Sequence, residues 1–123
     1  MKLCITSTGR SLDSDVDPRF GRCAYFIIVD SDNMEFEAFE NGSSGASGGA
    51  GVQSGKFVAD KGAEIVLTGN VGPKAFSTLS SAGIEIITGM TGITVRKAVE
   101  SYLSKPHKPV AGPTAKEHSG LRG

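Results

Sequence analysis

Two arginines and a cysteine lie close together in the polar segment that follows the first apolar run of the chain. Arg19, Arg22 and Cys23 belong to the sequence DPRFGRC, residues 17–23. Guanidinium groups bind anions, and a cysteine beside cations has a lowered pKa and becomes a ligand for soft metals. The segment is therefore a candidate site for an anion or a metal ion. A salt-bridged surface loop with a buried cysteine accounts for the same residues equally well.

A stretch built almost entirely from glycine, serine and alanine, NGSSGASGGAGVQSGK, occupies residues 41–56. Three of its glycines lie just before a predicted helix: Gly48, Gly49 and Gly51. The N-terminus of a helix has unpaired backbone amides and the positive end of the helix dipole, and missing side chains permit close approach of an anion. The alternative is a flexible connection between a strand and a helix, which this composition favours equally.

Four well-known motifs are incomplete in this chain. The phosphate loop needs Ser or Thr where Phe57 stands, and the dinucleotide fingerprint needs glycine where Ser54 stands. The calcium loop needs glycine where Pro18 stands. Both histidines, His107 and His118, lie beyond the predicted core, so neither a Ser-His-Asp nor a Cys-His arrangement is indicated. We therefore expect a protein that is not an enzyme.

A third candidate segment, TGNVGPKAF, residues 68–76, joins the end of a predicted strand to the start of a predicted helix. Open α/β sheets commonly bind ligands at this point, and Asn70 and the amide of Gly72 are the candidate contacts. A tight turn that caps the helix explains the segment slightly better when it is considered alone. Considered together, the three segments predict one shared rim of loops.

The pattern of apolar residues predicts eight elements in the order β-β-β-α-β-α-β-α. Apolar runs and one imperfect alternation predict strands at residues 2–7, 25–30, 35–41, 63–69 and 84–88. Helical periodicity follows the glycine-rich stretch, begins again at Pro73, and begins a third time with Thr91 or Thr94 as the N-cap. A meander followed by strand-helix units predicts an α/β fold with a single mixed sheet flanked by helices.

Composition and charge limit the classes of partner. Lys and Arg total 13, as do Asp and Glu, so no positive surplus is available for nucleic-acid phosphates. The chain has two cysteines and no apolar run of the roughly 20 residues that a membrane span requires. We therefore expect a cytoplasmic protein that binds neither nucleic acid nor membrane. One domain is predicted for residues 1–104, and the proline-containing residues 105–123 are predicted to be a disordered or loosely attached tail.

Three stretches of the chain together resemble the dinitrogenase iron-molybdenum cofactor biosynthesis domain family, as a small single-domain member. They are DPRFGRCAYFIIVD, the glycine-rich stretch continued to GNVGPKAF, and AGIEIITGMTGITVRKAVESYL, and the similarity covers roughly residues 1–104. The resemblance implies a ribonuclease H-like three-layer fold with a mixed five-stranded sheet, and a role as a carrier of iron–sulfur or iron–molybdenum cofactor species. Nuclease activity is not expected, because the first strand, KLCITS, lacks the carboxylates that two-metal hydrolysis needs.

The resemblance also implies roles for individual residues. Family members that handle the cofactor often carry histidine before Phe-Gly, whereas this chain carries Arg19 before Phe20 and Gly21. Cys23 is then expected to substitute as a thiolate ligand of the metal, while Arg19 and Arg22 offset the negative charge of a sulfide-rich cluster. The predicted cofactor contacts are Arg19, Phe20, Gly21, Arg22, Gly48, Gly49, Gly51, Asn70 and Gly72.

The leading hypothesis is a non-enzymatic protein that carries an iron–sulfur or iron–molybdenum type cluster, or its precursor, at the rim of the three segments. Its expected partners are proteins that donate or accept the metallocluster, and it is expected to be a monomer or a weak dimer. Two alternatives remain. One is a metal-free binding or regulatory module for a small anion or nucleotide, and the other is an interaction protein in which the loops are only structural.

Overall fold

The computed structural model describes residues 1–43, 45 and 48–115 of the chain, and these form a five-stranded mixed β-sheet with three helices. The strands are β1 (Lys2–Ser7), β2 (Tyr25–Asp30), β3 (Phe36–Glu40), β4 (Ile65–Leu67) and β5 (Glu85–Ile87). Their order across the sheet is β3-β2-β1-β4-β5, in which β1 pairs antiparallel with β2 and parallel with β4. The predicted element order, α/β class and mixed sheet are confirmed.

The helices are α1 (Ala50–Asp60), α2 (Pro73–Ser81) and α3 (Val95–Ser104), and local sequence explains where they begin and end. Pro73 occupies the first turn of α2, where its missing N–H is not needed. The hydroxyl oxygen of Thr94 accepts a hydrogen bond from the backbone amide of Lys97 and so caps α3. Gly62, at φ +78°, lies in the turn that ends α1. Among the described residues, no helix has both the length and the apolar composition needed to cross a membrane.

Different helices cover the two faces of the sheet, because successive side chains along a strand point to opposite sides. Leu3 of β1 belongs to a buried cluster that includes Val95 of α3. Cys4, the next residue, belongs to a second cluster that includes Val58 of α1 and Leu79 of α2. The domain therefore has three layers, with α3 on one side of the sheet and α1 and α2 on the other, as the resemblance implied.

The segment formed by residues 106–115, here called the C-terminal strap, lies against the rest of the domain. The backbone amide of Val110 donates to the carbonyl oxygen of Ile86 in β5 (2.9 Å), and the side chain of Val110 packs against the cluster beneath α1 and α2. Farther along, the amide of Thr114 donates to the carbonyl oxygen of Val71 (2.8 Å). The strap is thus joined to both the last strand and the segment before α2.

This placement differs from the loosely attached tail that the sequence predicts from residue 105 onward. The prolines explain the difference, since each one fixes φ and lowers the entropy that the strap loses when it is held in one conformation. Residues 116–123, the remainder of the predicted tail, lie outside the described residues. The boundary between domain and tail therefore stays a prediction.

Candidate functional site

Three loops meet on the side of the sheet that α1 and α2 cover. They are the arginine loop (residues 17–23), the glycine loop (residues 48–51) and the asparagine loop (residues 70–72). The backbone amide of Asn70 donates to the carbonyl oxygen of Pro18 (2.8 Å), and the amide of Phe20 donates to the carbonyl oxygen of Asn70 (3.1 Å). A Cβ atom added to Gly21 would lie 3.2 Å from Cα of Gly51. The structure thus brings the three predicted segments together.

Two glycines of α1 set the distance between α1 and α2. A Cβ atom on Gly51 would lie 3.1 Å from Cβ of Ala75, and one on Gly55 would lie 2.7 Å from Cγ2 of Thr78. Because glycine has no side chain, the two backbones approach closely along this contact. Gly51 was predicted as a ligand contact, but any side chain at this position would point toward α2 rather than toward a ligand. This packing role, which also includes Gly55, is one that sequence reasoning missed.

The close approach places the N-termini of α1 and α2 side by side, and neither N-terminus has a side-chain cap. Their N-cap residues are Gly49, at φ +75°, and Gly72, and within the described part of the chain no side chain caps either helix. At α3, by contrast, Thr94 supplies a cap and the amide of Val95 donates to the carbonyl oxygen of Ser14 (2.9 Å). The uncapped helix starts are therefore those of the two helices that meet at the three loops.

Three cationic residues lie in the arginine loop or in the first turn of α2. The side chains of Arg19, Arg22 and Lys74 are exposed, and the first turns of α1 and α2 contain no acidic residue. Nε of Arg19 lies 3.5 Å from Oδ1 of Asp17, yet 65% of the arginine side chain remains accessible. Two helix dipoles and these cationic groups each favour an anionic ligand on this surface.

The buried carboxylate of Asp17 anchors the arginine loop through hydrogen bonds to the backbone. Its Oδ1 atom accepts a hydrogen bond from the amide of Arg19 (3.1 Å), and its Oδ2 atom accepts one from the amide of Ala24 (3.3 Å). The hydroxyl group of Thr6 donates to the carbonyl oxygen of Asp17 (2.7 Å) and lies 2.8 Å from the hydroxyl oxygen of Thr68. These contacts fix the loop across the carboxyl ends of β1 and β4.

Two further buried polar side chains fix the carbonyl groups of the arginine loop. The side-chain amide of Asn41 donates to the carbonyl oxygens of Gly21 and Cys23 (both 2.9 Å), and the hydroxyl group of Ser54 donates to that of Gly21 (3.2 Å). Sequence reasoning identified neither residue. For Asn41 the available signal was a polar, turn-forming residue directly after a strand, and Thr68 stands in the same position after β4.

Cys23 differs most from its predicted environment. The residue is fully buried, and burial, assisted by the negative charge of Asp17, raises its pKa from 9.0 to about 12, although Asn41 and Arg19 act in the opposite direction. The expectation of a lowered pKa is therefore wrong, because desolvation of the buried thiol raises its pKa by more than the nearby guanidinium group lowers it. Burial, and secondarily Cys23, also raises the pKa of the thiol of Cys4. Among the described residues, no three His, Cys, Asp or Glu side chains are grouped closely enough to hold a metal ion.

The raised pKa of Cys23 predicts that the protein loses stability at alkaline pH. In the unfolded chain the thiol loses its proton near pH 9, whereas in the folded protein it keeps the proton until about pH 12. The contribution of Cys23 to the free energy of unfolding is therefore fully present below pH 9 and is lost as the pH rises toward 12, by at most about 1.4 kcal/mol per pH unit. Urea denaturation of the wild type and of Cys23→Ala at pH 8 and pH 10 measures this loss.

The variant is expected to lose less stability than the wild type between the two pH values. Its remaining loss includes the part due to Cys4, whose pKa is raised as well. Parallel decreases for the two proteins would show that Cys23 titrates at the same pH in the folded and unfolded states, and would contradict the assigned burial of the thiol.

The predicted contacts differ in accessibility. Those that are exposed are Arg19, Arg22, Gly48, Gly49 and Asn70, those that are partly buried are Gly51 and Gly72, and those that are buried are Phe20, Gly21 and Cys23. A Cβ atom added to Gly48 or Gly72 would meet nothing within 4 Å. The surface available to a ligand therefore consists of the two arginines, the uncapped helix starts and Asn70.

A comparison with protein families agrees with this architecture. The family model described as dinitrogenase iron-molybdenum cofactor matches residues 1–105. The chain belongs to this family. The dinitrogenase iron-molybdenum cofactor family thus covers the whole sheet, all three helices and every residue of the three loops.

Several proteins of known structure or sequence are similar to this chain. The apo form of the orange protein from Desulfovibrio gigas is 43% identical, with a TM-score of 0.89 over 92% of this chain and 95% of that chain. A Thermotoga protein described as a candidate NifB protein is 33% identical, with a TM-score of 0.79 over 92% and 96%. An uncharacterized protein from Methanocaldococcus jannaschii is 34% identical over 79 residues, 62% of this chain and 67% of the relative.

Proposed function

We propose that this protein is a non-enzymatic carrier that binds an anionic metal–sulfur cluster, of the iron–sulfur or iron–molybdenum type, on the surface formed by the three loops. The observation that carries the proposal is the pair of uncapped helix N-termini that the Gly51–Ala75 contact holds together, next to the loop that contains the exposed Arg19 and Arg22. Backbone amides and guanidinium groups donate hydrogen bonds, and the sulfides of such a cluster accept them. The proposed partners are proteins that deliver the cluster or receive it.

The proposed binding mode does not use a protein thiolate. A ligand role for Cys23 would require removal of a proton from a fully buried thiol with a pKa of about 12. Hydrogen bonds and charge are therefore the interactions on which the proposal relies, and the cluster brings its own sulfide ligands. Cys23 instead packs with Phe20 and Phe26 in the cluster beneath α1 and α2.

The comparisons support a metal–sulfur ligand over other anions in two ways. The family description names the iron-molybdenum cofactor. The similar Desulfovibrio protein is called orange and its structure is described as an apo form, and a colour requires a group that absorbs visible light, which a polypeptide of ordinary residues lacks. Metal–sulfur clusters absorb in that range. These points concern the relatives, and they motivate the choice of ligand for this chain.

Cluster uptake by arginine and cysteine variants tests the proposal. The protein is purified anaerobically and incubated with a supplied iron–sulfur cluster, and iron, molybdenum, sulfide and the optical spectrum are measured before and after. The double variant Arg19→Ala/Arg22→Ala is expected to bind the cluster about tenfold or more weakly, because each charge-assisted hydrogen bond contributes about 1.5–3 kcal/mol before solvent screening reduces it. Cys23→Ala is expected to retain the cluster.

Arg96→Ala is the matched control, since it removes an exposed arginine from α3, where Nε of Arg96 pairs with Asp13 at 3.1 Å. It is expected to bind like the wild type. Absence of uptake by the wild type would overturn the proposal. Calorimetry with metal-free nucleotides distinguishes the competing small-anion module, because a cluster carrier is expected to release no heat of binding with them.

A further inference from the structure

We infer that the C-terminal strap belongs to the binding site, and that Thr114 is the positioning residue through which the strap holds the asparagine loop in its binding conformation. The inference rests on the proposed function and concerns the same surface. Its basis is a set of hydrogen bonds that joins the end of the strap to the residue immediately before the N-cap of α2.

Both backbone groups of Val71 are bonded to the strap. The amide of Val71 donates to the hydroxyl oxygen of Thr114 (2.9 Å), and its carbonyl oxygen accepts from the amides of Thr114 (2.8 Å) and Ala115 (3.0 Å). Val71 is fully buried, so these groups have no access to solvent. A buried backbone group that loses its partner costs about 1–3 kcal/mol. The conformation of Val71 therefore depends on the strap.

The asparagine loop consequently lies between two other segments. On one side, Asn70 exchanges backbone hydrogen bonds with Pro18 and Phe20 of the arginine loop. On the other side, Val71 is bonded to Thr114 and Ala115 of the strap. Two consecutive residues thus fix the direction in which the chain enters Gly72. The amides at the start of α2 follow directly in sequence, so both contacts determine the orientation of these amides toward a ligand.

The rest of the strap is anchored away from the loops, so Thr114 is held in place rather than merely lying near Val71. Val110 is bonded to Ile86 of β5 and packs against the buried cluster. Nearer the start of the strap, the ring of His107 stacks on that of Tyr102, with centroids 5.9 Å apart. Pro113 fixes the backbone directly before Thr114. These contacts hold the strap against the domain at several points.

The test compares Thr114→Val with Thr114→Ser in the full chain. Valine has the shape of threonine but cannot accept the hydrogen bond from Val71, whereas serine retains the hydroxyl group. Amide hydrogen exchange of Val71, followed by NMR without ligand, reports the position of the loop, and uptake of the supplied iron–sulfur cluster reports binding. Thr8→Val is the matched control, because Thr8 is exposed and its hydroxyl group donates to the carbonyl oxygen of Asp15 (3.2 Å), outside the three loops and the strap.

Thr114→Val is expected to raise the exchange rate of the Val71 amide about tenfold, the factor that corresponds to loss of about 1.4 kcal/mol of protection. Its affinity for the cluster is expected to fall several-fold with a changed optical spectrum of the bound cluster, and Thr114→Ser is expected to restore both. If the Val71 amide of Thr114→Val exchanges at the wild-type rate, or if this variant takes up the cluster as well as the wild type does, the inference is wrong. The proposed function still stands in either case. No uptake by the wild type itself overturns the proposed function and, with it, the role of the strap toward a cluster.

Discussion

Replacement of Gly72 by aspartate is expected to abolish binding of an anionic ligand without unfolding the protein. Gly72 has φ −81° and ψ 174°, which any residue adopts, and a Cβ atom there would meet nothing within 4 Å. An aspartate at this N-cap accepts hydrogen bonds from the amides of the first turn of α2 and places a negative charge at the helix start. Affinity for the supplied cluster is expected to fall more than about tenfold, while the free energy of unfolding rises by about 0.5 kcal/mol.

Gly72→Asn separates charge from capping, since asparagine caps the helix with a neutral side chain. Equilibrium titration of the cluster, together with urea denaturation of the same samples, measures both effects. The aspartate variant is expected to bind more weakly than the asparagine variant at equal stability. If Gly72→Asp binds the cluster as the wild type does, the start of α2 is not part of the binding surface and the proposed site is wrong.

Replacement of Gly69, the residue directly before the asparagine loop, by alanine is expected to cause the largest loss of stability among single glycine-to-alanine variants in or next to the three loops. A Cβ atom at Gly69 would lie 2.6 Å from Cα and 2.7 Å from the carbonyl oxygen of Pro18, and 2.8 Å from Cγ2 of Thr91. The nearest atoms belong to the backbone of a proline, which cannot rotate aside. Overpacking of this kind costs about 1–3 kcal/mol, and we expect the upper part of that range.

Urea denaturation measures this loss, and Gly42→Ala is the matched control because a Cβ atom there would meet nothing within 4 Å. The control is expected to unfold within about 0.5 kcal/mol of the wild type. Gly69→Ala is also expected to weaken cluster binding, since the hydrogen bond between Asn70 and Pro18 lies next to the clash. A variant as stable as the wild type would show that the arginine and asparagine loops are not packed as described.

Much of the fold follows from local sequence. The strand β1 is a short run of β-forming residues and β2 is a continuous apolar run, and their observed bounds, Lys2–Ser7 and Tyr25–Asp30, equal the predicted ones. Pro73 and Thr94 mark helix starts through the backbone chemistry of those residues themselves. Because the signals lie within a few residues of the structure that they specify, no knowledge of distant contacts was required.

The parts that could not be predicted depend on contacts between segments that are far apart in sequence. Gly51 and Gly55 are surrounded by loop-forming residues, and composition does not distinguish a flexible loop from a close contact between two helices. The sequence places Cys23 next to Arg22, but burial of its thiol against Phe20 and Phe26 reverses the expected direction of its pKa shift. Desolvation is a property of the folded environment, which neighbours in the sequence do not reveal.

The strap shows the same limitation. Three prolines and a polar composition are typical of disordered chain ends, and nothing local indicates that Val110 and Thr114 meet backbone partners in β5 and beside α2. Those partners, Ile86 and Val71, precede Val110 and Thr114 by 24 and 43 residues in sequence. Only the assembled sheet presents both at the correct distance.

The position of β1 at the centre of the sheet affects the nascent chain during synthesis. Its antiparallel partner β2 begins at Tyr25, but its parallel partner β4 begins only at Ile65. Translation of the intervening stretch of about 60 residues takes roughly 3–12 s at about 5–20 residues per second. Throughout that interval β1 presents an unpaired apolar edge, and the ribosome-bound pair of β1 and β2 is the species most exposed to premature association with other chains.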